Sequence, residues 1–242
     1  GSVWLTCATL AGSGTISANG GTGAGGQGGG GGGGRIALYY DSSLFAGVES
    51  AYGAAGYSGG GAGTIFLKLP SEARGTIIVD NGGNLRETTE FYGANTFDAN
   101  LRVRNAGRVG PAHGDSDVEL TFLGDVTVET GGYIWADGRG FGSASGPGAG
   151  TSAVTAAEGA GAGYGGAGGN SGSGLQGGGT YGSVMEPTDM GSGGGNATNP
   201  SGGASGGGAG GGVLRLTVAG TLTIDGAISS NGNGGSAPMY RA

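Results

Sequence analysis

The segment 110–117, Gly-Pro-Ala-His-Gly-Asp-Ser-Asp, carries the residue types best suited to bind a metal ion. His113 is the single histidine of the chain, and Asp115 and Asp117 follow it closely. A protein metal site needs three or four converging ligands, and this segment lacks both the full calcium-loop pattern and the calcium-binding nonapeptide repeat. We therefore expect a solvated turn here, with no metal and no cofactor.

Other patterns that could carry chemistry are weak. Many G-x-G-x-x-G matches occur, but none follows a strand and opens a helix, and no G-K-S/T phosphate loop is present. Glycoside hydrolases need a pair of carboxylates, whereas the acidic residues here are spread one or two to a segment. They include Asp80, Glu119, Asp125, Glu129 and Asp225. We predict that the protein is not an enzyme, and that Arg102, Arg104 and Arg108 pair with acids or serve in a contact.

Composition narrows the function further. Glycine supplies 68 of the 242 residues, against an average usage of about 7%, yet glycine does not recur at every third position as in collagen. The net charge is −7 and the single lysine is Lys68, which disfavours binding to nucleic acid. No apolar run is long enough to span a membrane. Cys7, the single cysteine, is expected to be a small buried residue on a strand, with an intermolecular disulfide as the alternative.

Two segments near opposite ends of the sequence match each other. Residues 9–20, TLAGSGTISANG, align without gaps to residues 221–232, TLTIDGAISSNG. Just upstream, and with a slip of one residue, VWLTCA at 3–8 aligns to LRLTVA at 214–219. Self-similarity of this kind indicates a repeat architecture.

Weaker copies of the same pattern lie between these segments. Each has two or three short strands in which apolar and polar residues alternate, followed by a corner rich in Asn, Asp and Gly. The pattern predicts an all-β fold, and more specifically a β-solenoid of about six coils, with a β-sandwich as the rival fold. The predicted coils are 2–20, 35–53, 64–83, 97–110, 117–138 and 213–232.

Three glycine-rich tracts follow the same corner of the repeat: residues 20–34, 53–63 and 138–212. They are expected to project from one face of a single domain, 1–242, in which 138–212 is a long insertion and 236–242 a tail. Two interpretations remain open. The tracts are either solvated and flexible, or packed as polyglycine helices of the polyproline II type, whose three-residue turn lets backbones approach closely.

The segments 14-GTISANGG-21, 226-GAISSNGNGG-235, 28-GGGGGGGRIALYY-40 and 61-GAGTIFLK-68 resemble a loose class of repetitive, glycine-rich proteins of the bacterial surface and extracellular fibres. The resemblance covers most strand segments but not 138–212. It implies an exported β-solenoid with adhesive or fibrous use, and it carries no catalytic motif.

The sequence thus predicts an extracellular or cell-surface filament subunit whose partner is a second copy of itself. Matching end coils would stack head to tail, with Val3, Trp4 and Leu5 at one end and Pro238, Met239 and Tyr240 at the other. The alternatives are a fragment of a longer surface adhesin and a ligand-binding solenoid for ice or polysaccharide. For the polysaccharide alternative, Trp4, Trp135 and the tyrosines could stack on sugar rings, although such residues are more often core or interface anchors.

Overall fold

The computed structural model describes residues 1–25, 27–154, 158–198 and 204–236. In this part of the chain there is no helix, and therefore none that could cross a membrane. All regular structure in the described residues is β, which confirms the predicted all-β class. The first nine strands are β1 (Ser2–Gly12), β2 (Thr15–Ser17), β3 (Arg35–Phe45), β4 (Val48–Ser50), β5 (Thr64–Lys68), β6 (Gly75–Asp80), β7 (Thr89–Phe91), β8 (Ala94–Phe97) and β9 (Ala99–Arg104). The other nine are β10 (Arg108–Pro111), β11 (Glu119–Phe122), β12 (Val126–Val128), β13 (Tyr133–Trp135), β14 (Ala197–Thr198), β15 (Ala204–Ser205), β16 (Arg215–Val218), β17 (Leu222–Ile224) and β18 (Ala227–Ser229).

Strands from successive segments of the chain stack in parallel. The segments 94–111, 119–135 and 215–229 each contain three strands, and each strand pairs with its equivalent in the next segment. Apolar residues recur at equivalent positions, so that Leu101, Val126 and Leu222 lie side by side in register. Alternation along each strand sends these side chains to one face, where Leu101 and Val126 belong to a continuous apolar core.

A seven-stranded sheet runs from β1 to β17. Its strands lie in chain order, β1-β3-β5-β6-β9-β12-β17. Six strand pairs form the sheet; five of them are parallel, and only β5 and β6 are antiparallel. The expected parallel coil at 64–83 is therefore wrong in its pairing, because residues 69–74 turn the chain back on itself.

The reversal at β5 and β6 also moves the core to the other face of the sheet. Ile78 belongs to the cluster built around Ile36 and Leu38, whereas its neighbour Val79 belongs to the cluster built around Leu101. Adjacent residues in a strand point to opposite faces. The first half of the sheet thus buries one face and the second half buries the other.

The glycine tracts are joined to the rest of the molecule by backbone hydrogen bonds that recur every third residue. Along 28–34, one set of amides donates to the segment 58–61 and the set next to it donates to 18–21. The first set is Gly30 to Ser58 at 2.8 Å and Gly33 to Gly61 at 2.9 Å, and the second is Gly31 to Gly21 at 2.8 Å and Gly34 to Ala18 at 2.7 Å.

The long segment 138–212 repeats this spacing. Phe141 donates to Gly191 at 3.0 Å and Ala144 donates to Gly194 at 2.8 Å, and these two glycines donate onward to Gly211 and Gly208. Apart from the short antiparallel pair β14 and β15, the described part of the segment has no strand. The backbone groups here are satisfied by neighbouring glycine segments, as buried backbone requires.

Candidate functional site: the open sheet edges and an aromatic groove

The predicted contact residues Val3, Trp4 and Leu5 lie on β1, the edge strand of the seven-stranded sheet. Val3 packs against the core cluster around Ile36. Leu5 points to the same face and is partly exposed, and Trp4 points to the opposite face with 75% of its surface exposed. The structure thus separates the three residues into a core-facing pair and one outward-facing aromatic. Pro238, Met239 and Tyr240 lie outside the described residues.

The opposite edge of the sheet is β17, flanked by β16 and β18, and it presents apolar side chains. Leu222, Ile224 and Ile228 lie in register with the buried residues Val126, Val128 and Ile134, yet all three are exposed. They continue the core outward to a surface where the described part of the chain supplies no further strand. An unpaired edge of this kind offers free backbone donors and acceptors for another strand.

The sequence match between residues 9–20 and 221–232 has a structural counterpart. Ile16 is the central residue of β2 and Ile228 is the central residue of β18. Upstream, Cys7 on β1 and Val218 on β16 are also matched in the alignment, and each packs against the core at its own end. Cys7 lies on a strand as expected, but it is only half-buried rather than buried.

Corner residues add a side-chain hydrogen bond between neighbouring strand layers. The Asn19 Oδ1 accepts from the amide of Tyr52 at 2.7 Å, and the Asp137 Oδ1 accepts from the amide of Asn231 at 2.7 Å. In both cases the later segment donates to the earlier one. Within the described residues, the Oδ1 of Asn231 itself accepts no hydrogen bond.

A groove lies where the outward face of β1, β3 and β5 meets the first strands of the second half. Its volume is about 380 Å³. Trp4, Tyr39 and Phe66 form a row on one side, with ring centroids 5.9 Å and 5.6 Å apart. The lining residues used below are Trp4, Arg35, Tyr39, Phe66, Phe91 and Phe97, which we call the aromatic groove.

The charged residues singled out in the sequence serve local structure. Arg102 pairs with Glu129, and Arg104 pairs with Asp80 at 2.8 Å. Arg108 instead stacks on Trp135, with its guanidinium carbon 4.4 Å from the ring centroid, and burial lowers the pKa of this guanidinium below its ordinary value. These contacts tie neighbouring strands together.

The segment around His113 forms a turn. His113 is exposed, and the carboxylate of Asp115 accepts hydrogen bonds from the amides of Gly93 and Asp117. In the part of the chain that the structure describes, no group of three or more His, Cys, Asp or Glu side chains could hold a metal ion.

No protein-family model matches the chain, and no curated protein or solved structure is significantly similar to it. Geometry and chemistry alone therefore indicate its function. Sequence reasoning named Trp4 and the tyrosines as residues that could stack on a sugar, but it did not identify Arg35, Phe66, Phe91 and Phe97. The available signal was that the outward positions of β3 and β5 carry Tyr39 and Phe66. Phe91 and Phe97 face these residues only because the chain reverses between β5 and β6.

Proposed function

We propose that this protein is a structural subunit of an extracellular filament, a β-solenoid that associates head to tail with copies of itself. One observation carries the proposal: the first and last strand layers match in sequence, and both present apolar core residues at edges to which the described part of the chain adds no further strand. A contact between two different ends does not close on itself, so it generates a filament.

Strand topology supports a solenoid with one winding sense throughout. Layers follow one another along the sheet in chain order, while strand direction and the core-facing side both reverse between β5 and β6. A reversal of strand direction alone would invert the hand of the winding, and so would a reversal of the core-facing side alone. Because both reverse together, the hand is unchanged. A first layer from another copy can therefore continue the last layer of this one without a change of hand.

The three-residue spacing of the glycine hydrogen bonds supports packed polyglycine helices of the polyproline II type. Such a helix has three residues per turn and no internal hydrogen bonds, so each residue of a turn faces a different neighbour. The sets formed by Gly30 with Gly33 and by Gly31 with Gly34 have this property. We propose that these helices form a second layer that stiffens the filament.

The joint between two copies follows from the alignment. Equivalent residues lie side by side in the stacked layers of the molecule, so residues 9–20 of one copy would lie against 221–232 of the next. Ile16 would cover Ile228 and Leu10 would cover Leu222. The free Oδ1 of Asn231 would accept from the amide of Asn19, which continues the corner hydrogen bonds with the same polarity.

The native Cys7 provides a direct test, because the alignment places it opposite Val218 of the next copy. We predict that Val218→Cys forms intermolecular disulfides with Cys7 under mild oxidation, since neighbouring strands about 4.8 Å apart fall in the range of disulfide Cα separations. Non-reducing electrophoresis should show a ladder of multimers, and electron microscopy of the reduced wild-type protein across a concentration series should show filaments.

Two variants control the register. Thr217→Cys points to the opposite face and should give far less ladder, and Cys7→Ser combined with Val218→Cys should give none beyond random dimers. Monodisperse particles at all concentrations, with no ladder from Val218→Cys, would overturn the filament and favour a segment of a longer solenoid. If the wild-type protein forms filaments but Val218→Cys gives no ladder, assembly would stand and this register would be rejected.

A further inference from the structure

The geometry points to the aromatic groove as a binding site for an acidic polysaccharide, which would make the protein a glycan-binding module as well as a structural one. Strand register builds its floor. Trp4, Ala37 and Phe66 lie side by side on β1, β3 and β5, and the ring of Tyr39 lies between those of Trp4 and Phe66, with centroids 5.9 Å and 5.6 Å away. The three rings thus form a continuous aromatic surface that spans two strand spacings, about 10 Å.

The shape and chemistry of this aromatic surface suit a sugar ring. The C–H face of a pyranose packs on the electron-rich face of an aromatic ring, while its hydroxyl groups need polar partners at the rim. Ser2, Arg35 and Thr64 supply those partners. They lie side by side two residues before Trp4, Ala37 and Phe66 on the same three strands, and therefore on the same face. An apolar cleft of about 380 Å³ with a few polar groups is typical of small-ligand sites.

Arg35 determines the charge of the ligand. It is exposed, lines the groove and makes no ion pair with any described residue. Arg35 also lines an adjoining cleft together with Glu90, and that carboxylate already pairs with Arg139. A guanidinium binds a carboxylate through two parallel hydrogen bonds, so a uronate residue would satisfy Arg35 while its ring packs on the row of Trp4, Tyr39 and Phe66.

An apolar strand from another protein would fit the groove less well. It would remove water from Arg35 without supplying a counter-charge, and burying an unpaired charge is costly. Trp4 also points away from the core-facing side of β1, whose apolar residues the proposed joint buries.

Isothermal titration with hexagalacturonate and with cellohexaose, at a protein concentration where sedimentation shows monomers, tests the site. We predict that the wild-type protein binds hexagalacturonate more tightly than cellohexaose. Trp4→Ala should weaken hexagalacturonate binding at least about tenfold, a change of about 1.4 kcal/mol. Arg35→Gln should remove the preference for the acidic sugar and leave residual binding of both.

Leu44→Ala is the matched control, because Leu44 is 76% exposed against 75% for Trp4 and lies on β3 outside the groove. Its affinity should equal that of the wild type, and circular dichroism should show all three variants folded. Equal affinity of the wild type for both sugars, no binding of hexagalacturonate, or full binding by Trp4→Ala would each overturn the site. Because the titration uses monomers, these outcomes do not depend on whether filaments form.

Discussion

Corner asparagines link successive layers, because their side chains accept hydrogen bonds from backbone amides that lie outside the strands. Asn81 is the most enclosed of them, with 1% of its surface exposed. Its Oδ1 accepts from the amide of Gly53 and its Nδ2 donates to the carbonyl of Asn84, both at 2.8 Å. A short amide side chain that both donates and accepts suits such a corner, because the buried Gly53 amide would otherwise lack a partner.

Asn81→Ala should therefore destabilise the protein. Removing the side chain leaves the Gly53 amide without its acceptor, and a buried unsatisfied group costs about 1–3 kcal/mol. Urea unfolding followed by circular dichroism measures the change. Asn170→Ala is the control, since Asn170 accepts from the Gly177 amide at 2.9 Å in the same way but is exposed, so water replaces the lost acceptor. Equal losses in the two variants would contradict the role assigned to burial.

The sequence left open whether the glycine segments are packed or are solvated and flexible. Composition fixes that residues 28–34 lack side chains, but whether their backbone groups meet water or other glycines depends on the segments 18–21 and 58–61 beside them. Close approach then explains the residue type. A Cβ built on Gly33 would overlap the carbonyl oxygen of Ala51, whereas the nearest atom to a Cβ on Gly29 is the Ser58 oxygen at 4.0 Å.

Gly33→Ala and Gly29→Ala form a matched pair within one tract. We expect Gly33→Ala to lower the free energy of unfolding by about 1–3 kcal/mol or more, because the added methyl group has no room. Gly29→Ala should be neutral or stabilising by up to about 1 kcal/mol, because alanine restricts the unfolded chain and meets open space. Thermal unfolding checks both. A similar response at the two positions would indicate that the tract is solvated and loosely held.

Strands were more predictable than their connections. Alternation correctly located the core-facing sides of β5, at Ile65 and Leu67, and of β11, at Leu120 and Phe122, because period-two burial is a local property of the sequence. The reversal between β5 and β6 was not visible, since a hairpin and a coil corner both need two alternating strands and a polar turn. Lys68, which donates to the carbonyls of Glu72 at 3.5 Å and Ala73 at 3.3 Å, holds this turn.

At the scale of the whole molecule, that single reversal sets the relation between the two functions proposed. It places the two cores on opposite faces of one sheet. The outward face of β1, β3 and β5 consequently meets Phe91 and Phe97 of the second half and becomes a groove rather than a flat surface. An uninterrupted parallel stack would bury one face throughout and would leave no such cleft. The candidate glycan site thus depends on a long-range feature that short sequence patterns do not encode.

The exposed end of the second core is the place where a single charge should separate assembly from folding. Ile228 stacks on the buried Ile134 but is itself 45% exposed, and in the proposed joint Ile16 of the next copy would cover it. Ile228→Lys should stop filament growth, because burying an unpaired ammonium in the joint is costly, while the monomer tolerates the change by extending the long side chain into water. Sedimentation velocity and electron microscopy across a concentration series would show monomers at all concentrations, and thermal unfolding would give a midpoint close to that of the wild type.

Val184→Lys, at a residue 99% exposed in the glycine-rich segment, controls for added charge and should assemble normally. Filaments of Ile228→Lys that match those of the wild type would mean that this end of the core is not the joint.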